Sequence, residues 1–147
     1  MRHKAHAPAT ILIVEDNLSV RQSVLRALEE HGYMVLAASN GREALQVVKF
    51  HGRSVDLVVS DVVMPNMNGY ELADILAENQ PNLRVLLTTG YSEYLSAGGF
   101  RRPDRPMFLK PYSPQELVAR IHEMLASDEP VASAPSQAQT KPGSGAA

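Results

Sequence analysis

Three carboxylates in this chain follow directly on apolar runs. Glu15 and Asp16 close Ile11-Leu12-Ile13-Val14, and Asp61 closes Leu57-Val58-Val59-Ser60. Two further runs end in other chemistry: Val85-Leu86-Leu87 leads into Thr88-Thr89, and Met107-Phe108-Leu109 into Lys110-Pro111. If these runs are strands of one sheet, three acids, a hydroxyl and an ammonium converge on a single edge. Two carboxylates ~4 Å apart repel by about 4 kcal/mol at an effective dielectric of 20, whereas a whole domain holds only about 5–15 kcal/mol of net stability. Three acids in one pocket therefore require compensation. Lys110 supplies one positive charge, and a divalent cation would supply the rest. With oxygen donors only and 0 Cys in the chain, the fitting ion is Mg2+ or a similarly hard cation.

The elements that must position these groups can be read from periodicity. Between the apolar runs lie helical patterns. Val20, Val24, Leu25 and Leu28 recur at helical spacing up to His31-Gly32, a stop signal. Tyr33 to Ala38 reads as a second strand, and Ser39-Asn40 caps a helix carrying Ala44, Leu45 and Val48. The loop Met64 to Gly69 leads into a helix with Leu72, Ile75 and Leu76 that closes before Pro81. Ser113-Pro114-Gln115-Glu116 is a capping box with Pro at the first helical position, and Leu117, Ile121, Met124 and Leu125 follow on one stripe. The stretch Tyr91 to Pro106, interrupted by Gly98-Gly99, carries the weakest helical pattern. Strand and helix thus alternate five times at about 24 residues per unit, the pattern of an α/β doubly wound parallel sheet with helices on both faces. In such sheets ligands bind beyond the carboxyl ends of the strands, where the polar residues named above lie.

Composition bounds the function. In 147 residues, 14 Lys and Arg against 16 Asp and Glu leave a formal net charge of -2, so electrostatics gives no reason to expect direct nucleic-acid or membrane binding. A hydrophobic content of 44% suffices for a real core. No apolar run approaches the roughly 18 residues of a membrane span, and Ile11 to Val14 is too short for the apolar region of a signal peptide. The expectation is a soluble cytoplasmic protein with residues 1–9 as a flexible leader and 10–127 as the folded domain. The tail 128–147, rich in Ala, Ser, Pro, Gly and Gln, is expected to be disordered.

At the strand ends a family becomes recognisable. The segments Ile11 to Asn17, Ser60-Asp61-Val62-Val63-Met64-Pro65-Asn66-Met67-Asn68-Gly69, Leu86-Leu87-Thr88-Thr89-Gly90 and Phe108-Leu109-Lys110-Pro111-Tyr112 resemble the receiver domain of bacterial two-component response regulators. The resemblance spans the folded core and implies a flavodoxin-like sheet of order 2-1-3-4-5. It also implies roles. Asp61 would take a phosphoryl group from a phosphohistidine, and Glu15, Asp16, Asp61 and the main-chain carbonyl of Val63 would hold Mg2+. Thr89, rather than Thr88, and Lys110 would contact phosphoryl oxygens, with the Lys110-Pro111 bond in cis. Partners would be a sensor histidine kinase or phosphotransfer protein and a downstream protein target. Such a domain accepts a phosphoryl group and is not a turnover enzyme. The polar tail leaves no room for a helix-turn-helix, so output is expected through protein contacts. A free-standing regulator and the receiver of a hybrid kinase are both consistent with the sequence.

Some positions depart from the family pattern. Met107 stands three before Lys110, where the family usually has an aromatic switch residue, and Glu15 replaces the more frequent Asp. The Tyr91 to Pro106 region, with Gly98-Gly99 and three arginines, is atypical for an output face. Val63 and Tyr91 occupy the two positions that commonly set the lifetime of the family's aspartyl phosphate. Among rivals, nucleotide-binding glycine loops are absent, and an Asp-x-Asp phosphatase would need a carboxylate where Val63 stands. A phosphorylation-independent pseudo-receiver acting as an interaction module is the remaining alternative. His3 and His6 lie in the leader without partners, His122 lies off the apolar stripe of the last helix, Arg101, Arg102 and Arg105 read as a solvated loop, and Met64 and Met67 read as packing residues.

Overall fold

An unbroken apolar strand has no face to offer water, so it must be covered on both sides. The computed structural model describes residues 8–90 and 106–127. Within them β1 (Thr10–Val14), β2 (Met34–Ala38), β3 (Leu57–Asp61), β4 (Arg84–Gly90) and β5 (Met107–Lys110) form one parallel sheet in the order β2-β1-β3-β4-β5. The helices are α1 (Leu18–Glu30), α2 (Gly41–His51), α3 (Gly69–Asn79) and α4 (Pro114–Ala126). The expected strand order is present, and among the described residues helices follow β1, β2, β3 and β5 as the alternation requires. A short 3-10 turn at Gly52–Ser54 was not legible in the periodicity.

Side chains alternate across the sheet with the strand period of two. Leu12 and Val14 of β1 point into a core shared with Ala44 and Val48 of α2 and Leu72 and Leu76 of α3. Ile11 and Ile13 point the other way, onto Val24 and Leu28 of α1 and Leu117 and Ile121 of α4. Burying each large aliphatic of this kind contributes about 1.5–3 kcal/mol, so the two cores hold the helices on opposite faces and leave the strand ends free for chemistry.

The helix ends are closed by side chains. Asn40 accepts from the Glu43 N–H, as the sequence suggests, and Ser113 and Glu116 form the expected capping box ahead of α4. Asn68 and Glu71 form a second box at the start of α3, and Asn17 caps α1. At the other end of α4 the Arg84 guanidinium donates to the carbonyls of Met124 and Ser127, which satisfies orphan acceptors and suits the negative end of the helix. Among the described residues no helix is long and apolar enough to cross a membrane.

Candidate functional site

Register places the polar residues side by side. In the β1–β3 pairing Val14 lies opposite Ser60, so Glu15 falls level with Asp61 one step beyond. Asp61 in turn pairs with Thr88, and Gly90 with Lys110. Carboxylate oxygens of Glu15, Asp16 and Asp61 lie within 4.8 Å of one another. Lys110 Nζ stands 3.3 Å from Asp61 Oδ2 and 3.7 Å from Glu15 Oε1. Glu15 and Asp61 are buried, at 5% and 7% exposure, whereas Asp16 is exposed.

Burial and mutual repulsion set the electrostatics. Burial pushes the Glu15 carboxyl above its usual range. The Asn17 N–H and the Lys110 charge oppose that rise, and the Asp61 charge adds to it. Burial also pushes Asp61 up, against the pull of Lys110 and a hydrogen bond from the Val63 N–H. For Lys110, burial alone would ease loss of the proton, but the charges of Asp61 and Glu15 outweigh it and hold the proton more tightly than usual. One ammonium does not relieve the acids fully. The cluster has the surplus negative charge and the all-oxygen donor set that suit a hard divalent cation.

Local backbone geometry holds these groups in place. Glu15 Oε2 accepts from the Asn17 N–H at 3.0 Å, and the Glu15 carbonyl accepts from Arg21 Nη1 at 2.6 Å. On the other side of the site, the Val62 N–H donates to the Thr88 carbonyl and the Gly69 N–H to the Val62 carbonyl, each at 2.8 Å. A Cβ on Gly69 would lie 2.5 Å from the Asp61 carbonyl oxygen, so only glycine lets the loop close this tightly behind the carboxylate. Asn66 in the same loop takes φ 72°, a conformation Asn tolerates better than most residues. Met64 is buried and Met67 packs at the start of α2, so both are packing residues as expected.

The two threonines divide. The Thr88 hydroxyl lies near the Tyr112 phenol and eases its ionisation. Thr89 is buried, and among the described residues its hydroxyl has a long 3.4 Å contact to the Gly90 carbonyl. Tyr112 packs at 5.5 Å, centroid to centroid, on Phe108, and burial pushes its phenol up. The Lys110-Pro111 peptide is cis. His122 is exposed, with Nδ1 3.1 Å from the Tyr33 hydroxyl. The readings of His3, His6, Tyr91, Gly98, Gly99 and the arginines 101, 102 and 105, and of the segments 1–7, 91–105 and 128–147, fall outside the described residues.

Sequence reasoning brought Glu15, Asp16, Asp61, Thr89 and Lys110 to this edge and left out Arg21 and the Thr88–Tyr112 pair. A signal for Arg21 existed. It lies four residues after the Asn17 cap, on the helix face that looks back at the strand end. Tyr112 had no comparable signal, because its approach to Thr88 depends on how β4 and the β5–α4 turn meet.

Residues 11–122 match the response regulator receiver domain family. The chain is 39% identical over 122 residues to the sensor kinase CckA of Brucella abortus, covering 82% of this chain and 13% of that kinase. It is 33% identical over 116 residues to the response regulator receiver protein CpdR of the same organism, covering 78% of this chain and 95% of CpdR. It spans about half the length of other regulators that it matches. A response regulator receiver domain protein from Clostridium thermocellum superposes with a TM-score of 0.70 at 27% identity, covering 78% of this chain and 92% of the other.

Proposed function

The chain belongs to the response regulator receiver domain family of two-component signalling, and on that premise we propose that Asp61 is its phosphoacceptor. A carboxylate oxygen of Asp61 attacks the phosphorus of a phosphohistidine on a sensor kinase or phosphotransfer protein. A phosphorus–oxygen bond forms, and the phosphorus–nitrogen bond breaks with its electron pair left on the donor imidazole, which then takes up a proton. Lys110, 3.3 Å from Asp61, keeps the nucleophile in its charged form and afterwards pairs with a phosphoryl oxygen. Thr89 offers a hydroxyl to another. Thr88 is the weaker candidate because it lies one residue earlier, away from Gly90. Phosphoryl transfer needs little covalent help from a protein and much positioning and charge neutralisation, which this set of residues can provide.

Glu15, Asp16 and Asp61, with the main-chain carbonyl of Val63, are the ligands we assign to Mg2+. The clustering of their oxygens within 4.8 Å of one another supports this fit. When bound, the ion would neutralise phosphoryl oxygens in flight. The phosphorylated domain then signals to a downstream protein by contact. It is written once per signal and does not turn over a substrate.

The observation that carries this reading is the Lys110–Asp61–Glu15 constellation. A module used only for interaction has no need to hold three acids against one lysine. The test is incubation with a small phosphodonor and Mg2+, followed by intact mass. One added phosphoryl group on the wild type and none on Asp61→Asn is the expected result. Absence of any adduct on the wild type would favour the interaction module.

A further inference from the structure

We propose that Arg21 is a positioning residue for the Glu15–Asp16 pair, setting the direction in which both carboxylates meet a cation. This rests on the reading that these acids hold Mg2+. The peptide that joins Glu15 to Asp16 carries the carbonyl to which Arg21 Nη1 donates at 2.6 Å, a short charge-assisted bond. The preceding peptide is fixed as well, because the Glu15 N–H donates to the Ala38 carbonyl at 3.1 Å. Glu15 is buried and further held by Asn17, but Asp16 is exposed, so core packing gives it little hold. The plane of the peptide before it is what aims its side chain.

Arg21 is itself well anchored. Its N–H donates to the Asn17 carbonyl at 2.9 Å in the first turn of α1. From α2, Glu43 accepts from the Ser39 N–H and hydroxyl, which lower its pKa, and the charge of Arg21 lowers it further. A guanidinium donates from a planar, preorganised fork, which an ammonium on a more mobile stem does not reproduce. Arg21 thus ties the end of β1 to the first turn of α1 beside the acids.

Simple electrostatics would argue against a cation here. A fixed positive charge near a metal site repels the metal, so removing it should tighten binding if charge were its only effect. Positioning predicts the opposite sign, because partners that orient metal ligands typically contribute 10–100-fold in affinity.

The experiment is calorimetric titration of Mg2+ into the full chain as wild type, Arg21→Met and Arg21→Lys, with metal-free melts of each. The expected result is Mg2+ binding weakened roughly 10-fold in Arg21→Met and several-fold in Arg21→Lys, which keeps the charge but loses the planar fork. Equal or tighter binding in Arg21→Met overturns the proposal, as does a lower metal-free melting temperature with an unchanged Kd. If Arg21→Met does not fold, Arg21→Lys decides alone, and a wild-type Kd in that variant sinks the idea. A wild type that binds no Mg2+ removes the metal reading itself, and this inference with it.

Discussion

Lys110 Nζ lies 3.3 Å from Asp61 Oδ2, and this lysine is the cation set against the three clustered acids. Burial raises the carboxyls of Asp61 and Glu15 despite it. A carboxyl whose pKa is raised by folding binds its proton more tightly in the native state. Its contribution to stability is therefore full below the ordinary values of 3.8 and 4.5 and is lost as pH rises through the elevated ones. Lys110, also raised, contributes through neutral pH and loses its effect only in the alkaline range. In metal-free protein the melting-temperature gain of Asp61→Asn over wild type should thus grow as pH rises from the ordinary carboxylate range toward neutrality. A gain that is flat or shrinks over that range would contradict the assignment.

Mg2+ should reverse this penalty. A ligand that binds only the native state stabilises by RT ln(1 + [L]/Kd), about 2.7 kcal/mol at 100 times Kd. Millimolar Mg2+ should raise the wild-type melting temperature and leave Asp16→Ala almost unmoved. Since Asp16 is exposed and adds a like charge to the cluster, its removal should leave the metal-free melt equal or higher. A wild-type melt indifferent to Mg2+ would refute the site.

Two glycines beside the site should respond differently to Ala. At Gly69 the new Cβ would meet main-chain atoms, 2.5 Å from the Asp61 carbonyl oxygen and 2.9 Å from Val62 Cα. Backbone must move, at a cost of about 1–3 kcal/mol, and Asp61 moves with it. At Gly41 the obstacles are all side-chain atoms of Met67, Sδ at 2.7 Å and Cγ and Cβ at 3.1 Å, which can give way more easily than main chain. Gly69→Ala should lower both the denaturation midpoint and the extent of phosphorylation, while Gly41→Ala should change either only slightly. The reverse order would mean that the loop is held from the α2 side.

The strands were legible because each is covered on both faces, which leaves its sequence almost wholly apolar. Their ends were less so. Tyr33 reads as strand but its N–H turns back to the Leu28 carbonyl to close α1, so β2 starts at Met34. Asp61 and Lys110 read as residues after their strands, yet the ladder extends through them because their neighbours continue the pairing. The acids and the lysine were legible as strand ends. Arg84 was not, since its acceptors Met124 and Ser127 lie 40 and 43 residues later. Nor was the approach of Tyr112 to Thr88. Such contacts depend on where elements meet in space, and no local pattern encodes that.

Met107 bears on how a signal leaves the site. It pairs with Leu87 in the β4–β5 register and packs, half-buried, against the core under α2 and α3. A thioether there fills space but has neither the hydroxyl nor the planar ring of a two-position switch. An amide-shift map with and without a phosphoryl mimic should therefore show its largest changes at Thr89, Gly90 and the residues that follow. Changes centred on Met107 and α4 would overturn this expectation.

Val63 bears on how long the signal lasts. An aspartyl phosphate is lost when water attacks in line, and a polar side chain beside the phosphoryl group can orient that water. Two residues after Asp61, Val63 instead presents an aliphatic side chain that is 51% exposed. Exposure matters in two ways. The side chain is not needed for the core, so a polar replacement should cost little stability, and it is open to solvent two residues from Asp61. Val63→Asn should therefore shorten the lifetime of the phosphorylated protein while leaving its melting temperature near that of the wild type. Decay followed by intact mass, with the donor removed, checks this. Equal lifetimes would show that Val63 merely covers the loop and that water is oriented elsewhere.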